Sequence, residues 1–105
     1  MDEITPHDLK ARIDRNDRPV LVDVREDWET KLCRLENAVH IPIEELELRA
    51  KELNPADDIV VYCHHGVRSA AVADYLRRLG FTRVRNLSGG LDAWARSVEP
   101  AMRRY

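Results

Sequence analysis

Long apolar runs, cysteines, aromatic residues and an excess of either charge are all scarce in this sequence. Of its 105 residues, 2 are cysteine and 6% are aromatic, and 17 basic against 19 acidic side chains leave a net charge of −2. No apolar stretch approaches the roughly 20 residues of a membrane-spanning helix. The interleaved charges form neither a basic face for nucleic acid nor an acidic block typical of disorder. We therefore expect neither a membrane nor a nucleic acid as a partner.

Apolar residues are nevertheless numerous enough for one hydrophobic core. They make up 44% of the chain, and this length suits a single domain over residues 1–105 and leaves no room for a second. The first residues, MDEITPHDLK, lack the apolar centre of a signal peptide, so we expect a cytoplasmic location. Two cysteines in a reducing compartment argue against a structural disulfide, although the even number leaves a Cys33–Cys63 pair open.

Apolar runs of strand length alternate with segments of helical periodicity. The runs PVLVDV (19–24) and DIVVY (58–62) are continuous, which is typical of strands buried on both faces. Shorter strands are predicted at 37–41 and 82–87. Four helices are predicted. The first covers 6–14 after an N-cap at Thr5, and the second has an apolar face from Ile43 to Leu53. The third runs from residue 67 to a C-cap at Gly80 with a buried stripe of Val72, Leu76 and Leu79, and the last is capped by Ser88.

Strands separated by helices predict an α/β fold with a parallel sheet and right-handed crossovers. In such sheets ligands bind beyond the carboxyl ends of the strands. Asp23 and Arg25 lie at the end of the strand predicted at 19–24, and Cys63 directly follows the strand at 58–62. We therefore expect these residues to meet at one edge of the sheet.

The stretch YCHHGVRSA, residues 62–70, has the composition of an anion-binding loop. A loop from a strand end to a helix start points successive backbone N–H groups inward, with the positive end of the helix behind them. Cys63 in such a loop and near Arg68 should have a lowered pKa and act as a thiolate nucleophile. Gly66 supplies the backbone angles of a tight turn. The alternative, a buried core thiol, is disfavoured by the two polar histidines that follow.

Five segments follow one another along the chain: LVDVRE, AVHIPIEEL, VVYCHHGVRSA, LRRLGF and NLSGGLDAWA. In this order and at about this spacing they resemble the rhodanese family of sulfurtransferases. The resemblance covers nearly the whole chain. It implies a three-layer rhodanese-like fold with a central, mostly parallel five-stranded sheet flanked by helices. Asn37 stands where the family usually has glycine, and asparagine tolerates the left-handed region, so we expect the turn to be kept.

The resemblance also implies the reaction and its residues. Sulfane sulfur would move from thiosulfate or a persulfide donor to a thiophilic acceptor, cyanide in vitro or a thiol or protein in the cell, through a persulfide on Cys63. Motif position assigns the binding of the small anionic donor to His64, His65, Gly66, Val67 and Arg68. Asp23, Arg25 and Ser69 are supporting candidates, and Arg25 is expected to pair with Asp23 or Glu29 rather than to touch substrate. Protonated histidines at 64 and 65 would favour anionic donors.

No cofactor is expected, and no metal. His40 could join the cysteine and the two histidines in a zinc site, but adjacent side chains on a tight loop diverge and no C-x-x-C pair supports them. We expect a monomer or a weak homodimer. Cys33 lies in a predicted turn or short helix and is interpreted as a packed thiol.

Two other functions stay open. A rhodanese-like module could bind a partner or relay sulfur without independent turnover, although the presence of Cys63 argues against a purely structural use. A cysteine phosphatase of the cell-cycle type also places cysteine and arginine around an anion, with five residues between them. Here four residues, His64 to Val67, separate Cys63 from Arg68, so we expect a cradle too small for a phosphoryl group.

Overall fold

Strands and helices alternate along the chain, as the sequence predicts. The computed structural model describes residues 2–105. The strands are β1 (Glu3–Ile4), β2 (Val20–Asp23), β3 (Val39–His40), β4 (Ile59–Tyr62) and β5 (Val84–Leu87). The helices are α1 (Pro6–Asp14), α2 (Asp27–Leu32), α3 (Leu46–Arg49), α4 (Val67–Arg78) and α5 (Gly90–Ser97), and 3₁₀ turns at Ile43–Glu45 and Ala50–Glu52 flank α3.

The five strands form one sheet in the order β1-β5-β4-β2-β3. Every neighbouring pair is parallel, which confirms the predicted α/β fold with a five-stranded sheet. β4 lies at the centre between β2 and β5, and Tyr62 at its end is in register with Asp23 at the end of β2. The segments that follow these two strands therefore leave the sheet at the same edge.

Helices cover both faces of the sheet and make three layers. Along β4, Ile59 and Val61 join a core cluster that includes residues of α3 and α4, whereas Val60 and Tyr62 join a second cluster with residues of α1 and α5. All four side chains of β4 are completely buried. This two-sided burial explains the continuous apolar run, since each buried aliphatic side chain stabilises the fold by about 1.5–3 kcal/mol.

Three local predictions are confirmed. Thr5 caps α1, where its hydroxyl oxygen accepts a hydrogen bond of 3.1 Å from the Asp8 amide. Gly80 follows the end of α4 with φ +102°, the left-handed conformation of a C-terminal glycine. Asn37 also has a positive φ of 64°, so the turn that the family makes with glycine is kept.

The predicted cap of the last helix is wrong. Ser88 does not cap α5, which begins at Gly90 after an N-cap at Gly89. The Ser88 amide donates to the Ile4 carbonyl and thereby continues the pairing of β5 with β1. Its hydroxyl donates to Glu3 instead of to the helix. A residue that still belongs to the edge of the sheet is not available to cap the helix.

The helix predicted from Ile43 to Leu53 is not continuous. Two 3₁₀ turns flank the single α-helical turn α3. Ile43 and Leu46, like Ala50 and Leu53, are three residues apart, the spacing at which side chains align in a 3₁₀ turn. Leu79, predicted for the buried stripe of α4, is instead the C-cap residue and is 50% exposed. No helix of residues 2–105 combines the length and apolarity needed to cross a bilayer.

Candidate functional site

The Cys63 loop and the end of β2 lie side by side at the carboxyl edge of the sheet. Val24, directly after β2, donates its amide to the Tyr62 carbonyl, so the two chains stay paired up to the residue before Cys63. Cys63 itself is 1% exposed. The loop that follows it closes within four residues into the first turn of α4.

Three hydrogen-bond donors converge on the Sγ atom of Cys63. The amide of Gly66 lies 3.1 Å away, the amide of Ser69 3.4 Å and the hydroxyl of Ser69 3.3 Å. Burial alone would raise the pKa of the Cys63 thiol, but these hydrogen bonds to the sulfur outweigh it, so the pKa is lowered. The site can therefore hold a thiolate, the nucleophilic form of cysteine.

Helix α5 fixes the orientation of this loop from behind. The carbonyl oxygens of Cys63 and His64 accept hydrogen bonds of 2.8 and 2.9 Å from the amides of Leu91 and Asp92. Gly90 lets the helix come so close, since a Cβ atom there would lie 2.5 Å from the His64 oxygen and 2.6 Å from the Cys63 oxygen. Because the carbonyls face α5, the loop amides are free to face the sulfur.

Ser69 joins the sulfur to a buried amide of β5. Its Oγ lies 3.3 Å from Cys63 Sγ and 2.5 Å from Asn86 Oδ1. The amide nitrogen of Asn86 donates to the Gly66 carbonyl at 3.0 Å and to the Glu3 carboxylate at 3.1 Å, so its oxygen faces Ser69 as an acceptor. A hydroxyl has one proton, and Ser69 can donate it either to Asn86 or to a thiolate at Cys63.

Arg68 is held by a buried carboxylate. Its Nη1 and Nη2 atoms donate to the two oxygens of Glu29 at 2.7 and 2.9 Å, and the Glu29 side chain is 3% exposed. Burial raises the pKa of Glu29, but the hydrogen bonds from Arg68, Tyr105 and the Glu26 amide outweigh it and lower the pKa to about 2. The Arg68 pKa is raised mainly by this pairing and also by the charge of Cys63. Glu29 of α2 thus fixes the position of the Arg68 guanidinium in the loop.

Arg25 supports the site through hydrogen bonds to residues other than Cys63. It is completely buried, and its Nε and Nη2 atoms donate to the two oxygens of Asp23 at 3.0 and 2.7 Å. Nη2 also donates to the Cys33 carbonyl at 2.7 Å, and Nη1 donates to the Tyr105 hydroxyl at 2.8 Å. These contacts tie the end of β2 to the end of α2 and to Tyr105.

The histidines and Val67 form the outer part of the loop. The His64 ring stacks on the Tyr105 ring at a centroid distance of 3.8 Å and lies 4.0 Å from the His65 ring. Burial lowers the pKa of His64, and the charge of His65 lowers it further. A lowered pKa favours the neutral form of the His64 ring at neutral pH. The attraction of anionic donors expected from a protonated ring is therefore not favoured at His64. The Val67 side chain is 78% exposed.

Sequence reasoning missed several residues of this site. Asn86 and Gly90 lie in the segment NLSGGLDAWA, which carried the resemblance but received no role. Glu29 was considered only as a partner of Arg25. Tyr105 had no sequence signal, since it follows two arginines outside every recognised segment.

The sequence left two other arrangements to compare with the structure, a zinc site and a disulfide. Within residues 2–105, no three histidine, cysteine, aspartate or glutamate side chains lie close enough together to hold a metal ion. Cys33 and Cys63 are both free, so the disulfide left open by the sequence is not formed.

A fold and a loop of this kind define a class of protein. The family model of the rhodanese-like domain matches residues 5–97, and the chain belongs to this family. It is 34% identical over 100 residues to a sulfurtransferase of Allochromatium vinosum, which covers 95% of this chain and 94% of that protein. It is 32% identical over 103 residues to the thiosulfate sulfurtransferase GlpE of Actinobacillus pleuropneumoniae, with coverage of 98% and 94%.

Solved structures agree with this assignment. The crystal structure of a rhodanese-related protein from Thermoplasma volcanium superposes with a TM-score of 0.86 at 32% identity and covers 95% of this chain and 96% of that one.

The chain spans 52% of another relative, YrkF of Bacillus subtilis, to which it is 36% identical over 97 residues. These relatives together support a general role in sulfur transfer.

Proposed function

We propose that this protein is a sulfurtransferase that carries sulfane sulfur as a persulfide on Cys63. Thiosulfate or a persulfide is the donor, and a thiol, a protein or, in the test tube, cyanide is the acceptor. The observation that carries the proposal is the convergence of the Gly66 amide and the Ser69 amide and hydroxyl on Cys63 Sγ. The relatives named sulfurtransferases support the same chemistry.

In the first half-reaction the Cys63 thiolate attacks the outer sulfur of thiosulfate. A sulfur–sulfur bond forms to Sγ while the bond from that sulfur to the sulfonate breaks, and sulfite leaves with the electron pair. Because the product is again an anion, the donors that stabilise the thiolate can also stabilise the outer sulfur of the persulfide. Arg68, held by Glu29 at the start of α4, supplies positive charge for the leaving sulfite.

In the second half-reaction an acceptor attacks the outer sulfur of the persulfide. Cyanide takes it as thiocyanate, and a thiol takes it as a new persulfide. In both cases the bond to Sγ breaks and the Cys63 thiolate is restored, so no net oxidation of the protein occurs. The two half-reactions share one covalent intermediate, which predicts ping-pong kinetics.

Intact-mass measurement tests the proposal. With excess thiosulfate and no acceptor, the folded chain should gain the mass of one sulfur atom, and cyanide should remove it. Cys63→Ser should abolish the gain, because a serine hydroxyl without an adjacent base is a poor nucleophile. The matched control, Cys33→Ser, should still load.

Two outcomes would contradict the proposal. If neither thiosulfate nor a small persulfide adds sulfur to the wild-type chain, the partner-binding alternative replaces catalysis. If Cys63→Ser still gains one sulfur while Cys33→Ser does not, the carrier is Cys33 and the assignment of the site is wrong.

A further inference from the structure

Tyr105 reaches the site from the far end of the chain and connects three of its parts. Its hydroxyl donates to Glu29 Oε2 at 2.6 Å and accepts from Arg25 Nη1 at 2.8 Å. Its ring stacks on His64, the residue after Cys63, and meets the Trp28 ring edge-on at 5.8 Å. Burial of the hydroxyl and its bond to Glu29 raise the pKa of Tyr105, so it keeps its proton at physiological pH.

The hydrogen bonds of Glu29 show what this hydroxyl adds. Oε1 accepts from the Glu26 amide at 3.0 Å and from Arg68 Nη1 at 2.7 Å. Oε2 accepts from Arg68 Nη2 at 2.9 Å and from the Tyr105 hydroxyl at 2.6 Å. A carboxylate has about four acceptor directions, and here each oxygen has one bond that fixes it and one bond to Arg68. Without Tyr105, Oε2 would keep only the bond to the group that it has to orient.

We propose that Tyr105 is a positioning residue of the sulfur-transfer site: its hydroxyl fixes Glu29 and thereby holds the Arg68 guanidinium in place for the leaving group. The inference rests on the proposed function, because Arg68 has a leaving group to stabilise only if Cys63 accepts sulfur. Tyr105 itself touches neither the sulfur nor the leaving group in this mechanism. It acts through Glu29, and the fully buried Arg25–Asp23 pair anchors its oxygen on the other side.

Tyr105→Phe separates this role from simple packing. The variant keeps the ring that contacts His64 and Trp28 and removes only the oxygen. We expect sulfur loading from saturating thiosulfate to slow about 3- to 10-fold, because one charge-assisted hydrogen bond is lost. The thiosulfate concentration at half-maximal rate should change less than about 2-fold, since Arg68 is assigned to the charge that develops in the transition state. Rapid-quench intact-mass measurements give both quantities.

A double-mutant cycle with Arg68→Ala tests the route. Residues that act through one group show non-additive effects. Tyr105→Phe should therefore slow loading in the wild-type background and change it less than about 2-fold in the Arg68→Ala background. Tyr75→Phe is the matched control, since it removes a tyrosine hydroxyl beside the α4 core cluster, and its loading should equal that of the wild type.

Each result decides the matter. An unchanged loading rate in Tyr105→Phe overturns the inference. An equal loss with and without Arg68 also overturns it, because the hydroxyl would then act through its other partner, Arg25. If Tyr105→Phe loses the native circular dichroism spectrum, Glu29→Gln takes its place in the same cycle and has to show the same dependence on Arg68. A wild-type chain that never loads sulfur refutes the proposed function instead, and that outcome differs from a loaded wild type with an unaffected variant.

Discussion

At the scale of single residues, Ser69 controls the ionisation of Cys63 most directly. Its hydroxyl proton has two possible acceptors, the sulfur of Cys63 at 3.3 Å from Oγ and the Oδ1 atom of Asn86 at 2.5 Å. Because a hydroxyl has one proton, donation to the thiolate costs the bond to Asn86. The net stabilisation of the thiolate by Ser69 is therefore smaller than that of a hydroxyl without a competitor.

Ser69→Ala should raise the pKa of Cys63 by about half a unit to one unit, because one of the three donors to the sulfur is removed. The pH dependence of iodoacetamide alkylation, followed at Cys63 by peptide mass spectrometry, measures the shift. The rate at pH 6.5 should fall accordingly. Ser88→Ala, which removes a hydroxyl bonded to Glu3, is the control. An unchanged midpoint in Ser69→Ala would mean that the proton stays with Asn86 in both states of the thiol.

The sequence predicts the residues of the loop itself better than those around it. Cys63, Gly66 and Arg68 are close together in the chain, so their spacing carries the information. Glu29 lies 39 positions from Arg68, and Tyr105 lies 76 positions from Glu29. No local pattern encodes such contacts, because they depend on where the sheet places α2, α4 and the segment that includes Tyr105.

At the scale of elements, the packing of α5 on the Cys63 loop is the critical contact. A Cβ at position 90 would meet two backbone oxygens at 2.5 and 2.6 Å, closer than real Cβ contacts. Gly90 also has a φ of 63°, which disfavours a side chain. At Gly80, with φ +102°, a Cβ would meet nothing within 4 Å.

Gly90→Ala should therefore lower the free energy of unfolding by about 2 kcal/mol more than Gly80→Ala does, because the loss in Gly80→Ala comes mainly from its left-handed backbone conformation. Urea unfolding measures both. Gly90→Ala should also lose sulfur loading under conditions in which it remains folded, because α5 can no longer hold the Cys63 and His64 carbonyls. Equal stability of the two variants would show that the loop and α5 move apart at little cost.

The strand buried on both sides was predictable, whereas the short edge strand β1 was not. The residues of β4 are all buried, so its apolar run is uninterrupted and its bounds were predicted within one residue. β1 has two residues, one of them exposed, and such a segment has no measurable periodicity. Ser88 looked like a cap because its type suits one, but its amide was already used by the sheet.

At the scale of the whole molecule, the sheet separates the environments of the two cysteines. Cys63 belongs to the core cluster on the α3 and α4 face, and Cys33 packs against the cluster on the α1 and α5 face. A disulfide needs Cα atoms about 4.4–6.8 Å apart with Cβ atoms that face each other. The two thiols are free and pack in different core clusters, so we expect Cys33 not to resolve a sulfur species on Cys63 within the same folded chain.

Diamide treatment of the folded protein should leave both thiols of the monomer free of an internal disulfide. Non-reducing intact mass and alkylation counts measure this. The same treatment in concentrated urea is the positive control, because the unfolded chain can bring the two cysteines together. A folded monomer that loses two hydrogens would place Cys33 within reach of Cys63 and give it a resolving role.

The order of the strands in the sheet has a consequence for folding during translation. β1 pairs with β5, and Glu3 contacts Asn86, 83 positions later. The groups that orient the Cys63 loop, Asn86 and the amides of Leu91 and Asp92, are likewise translated after it. A nascent chain that has just exposed Cys63 thus carries an ordinary thiol. The hydrogen bonds that orient the loop form only when the later strand and helix emerge and dock, so the lowered pKa of Cys63 depends on completion of the sheet.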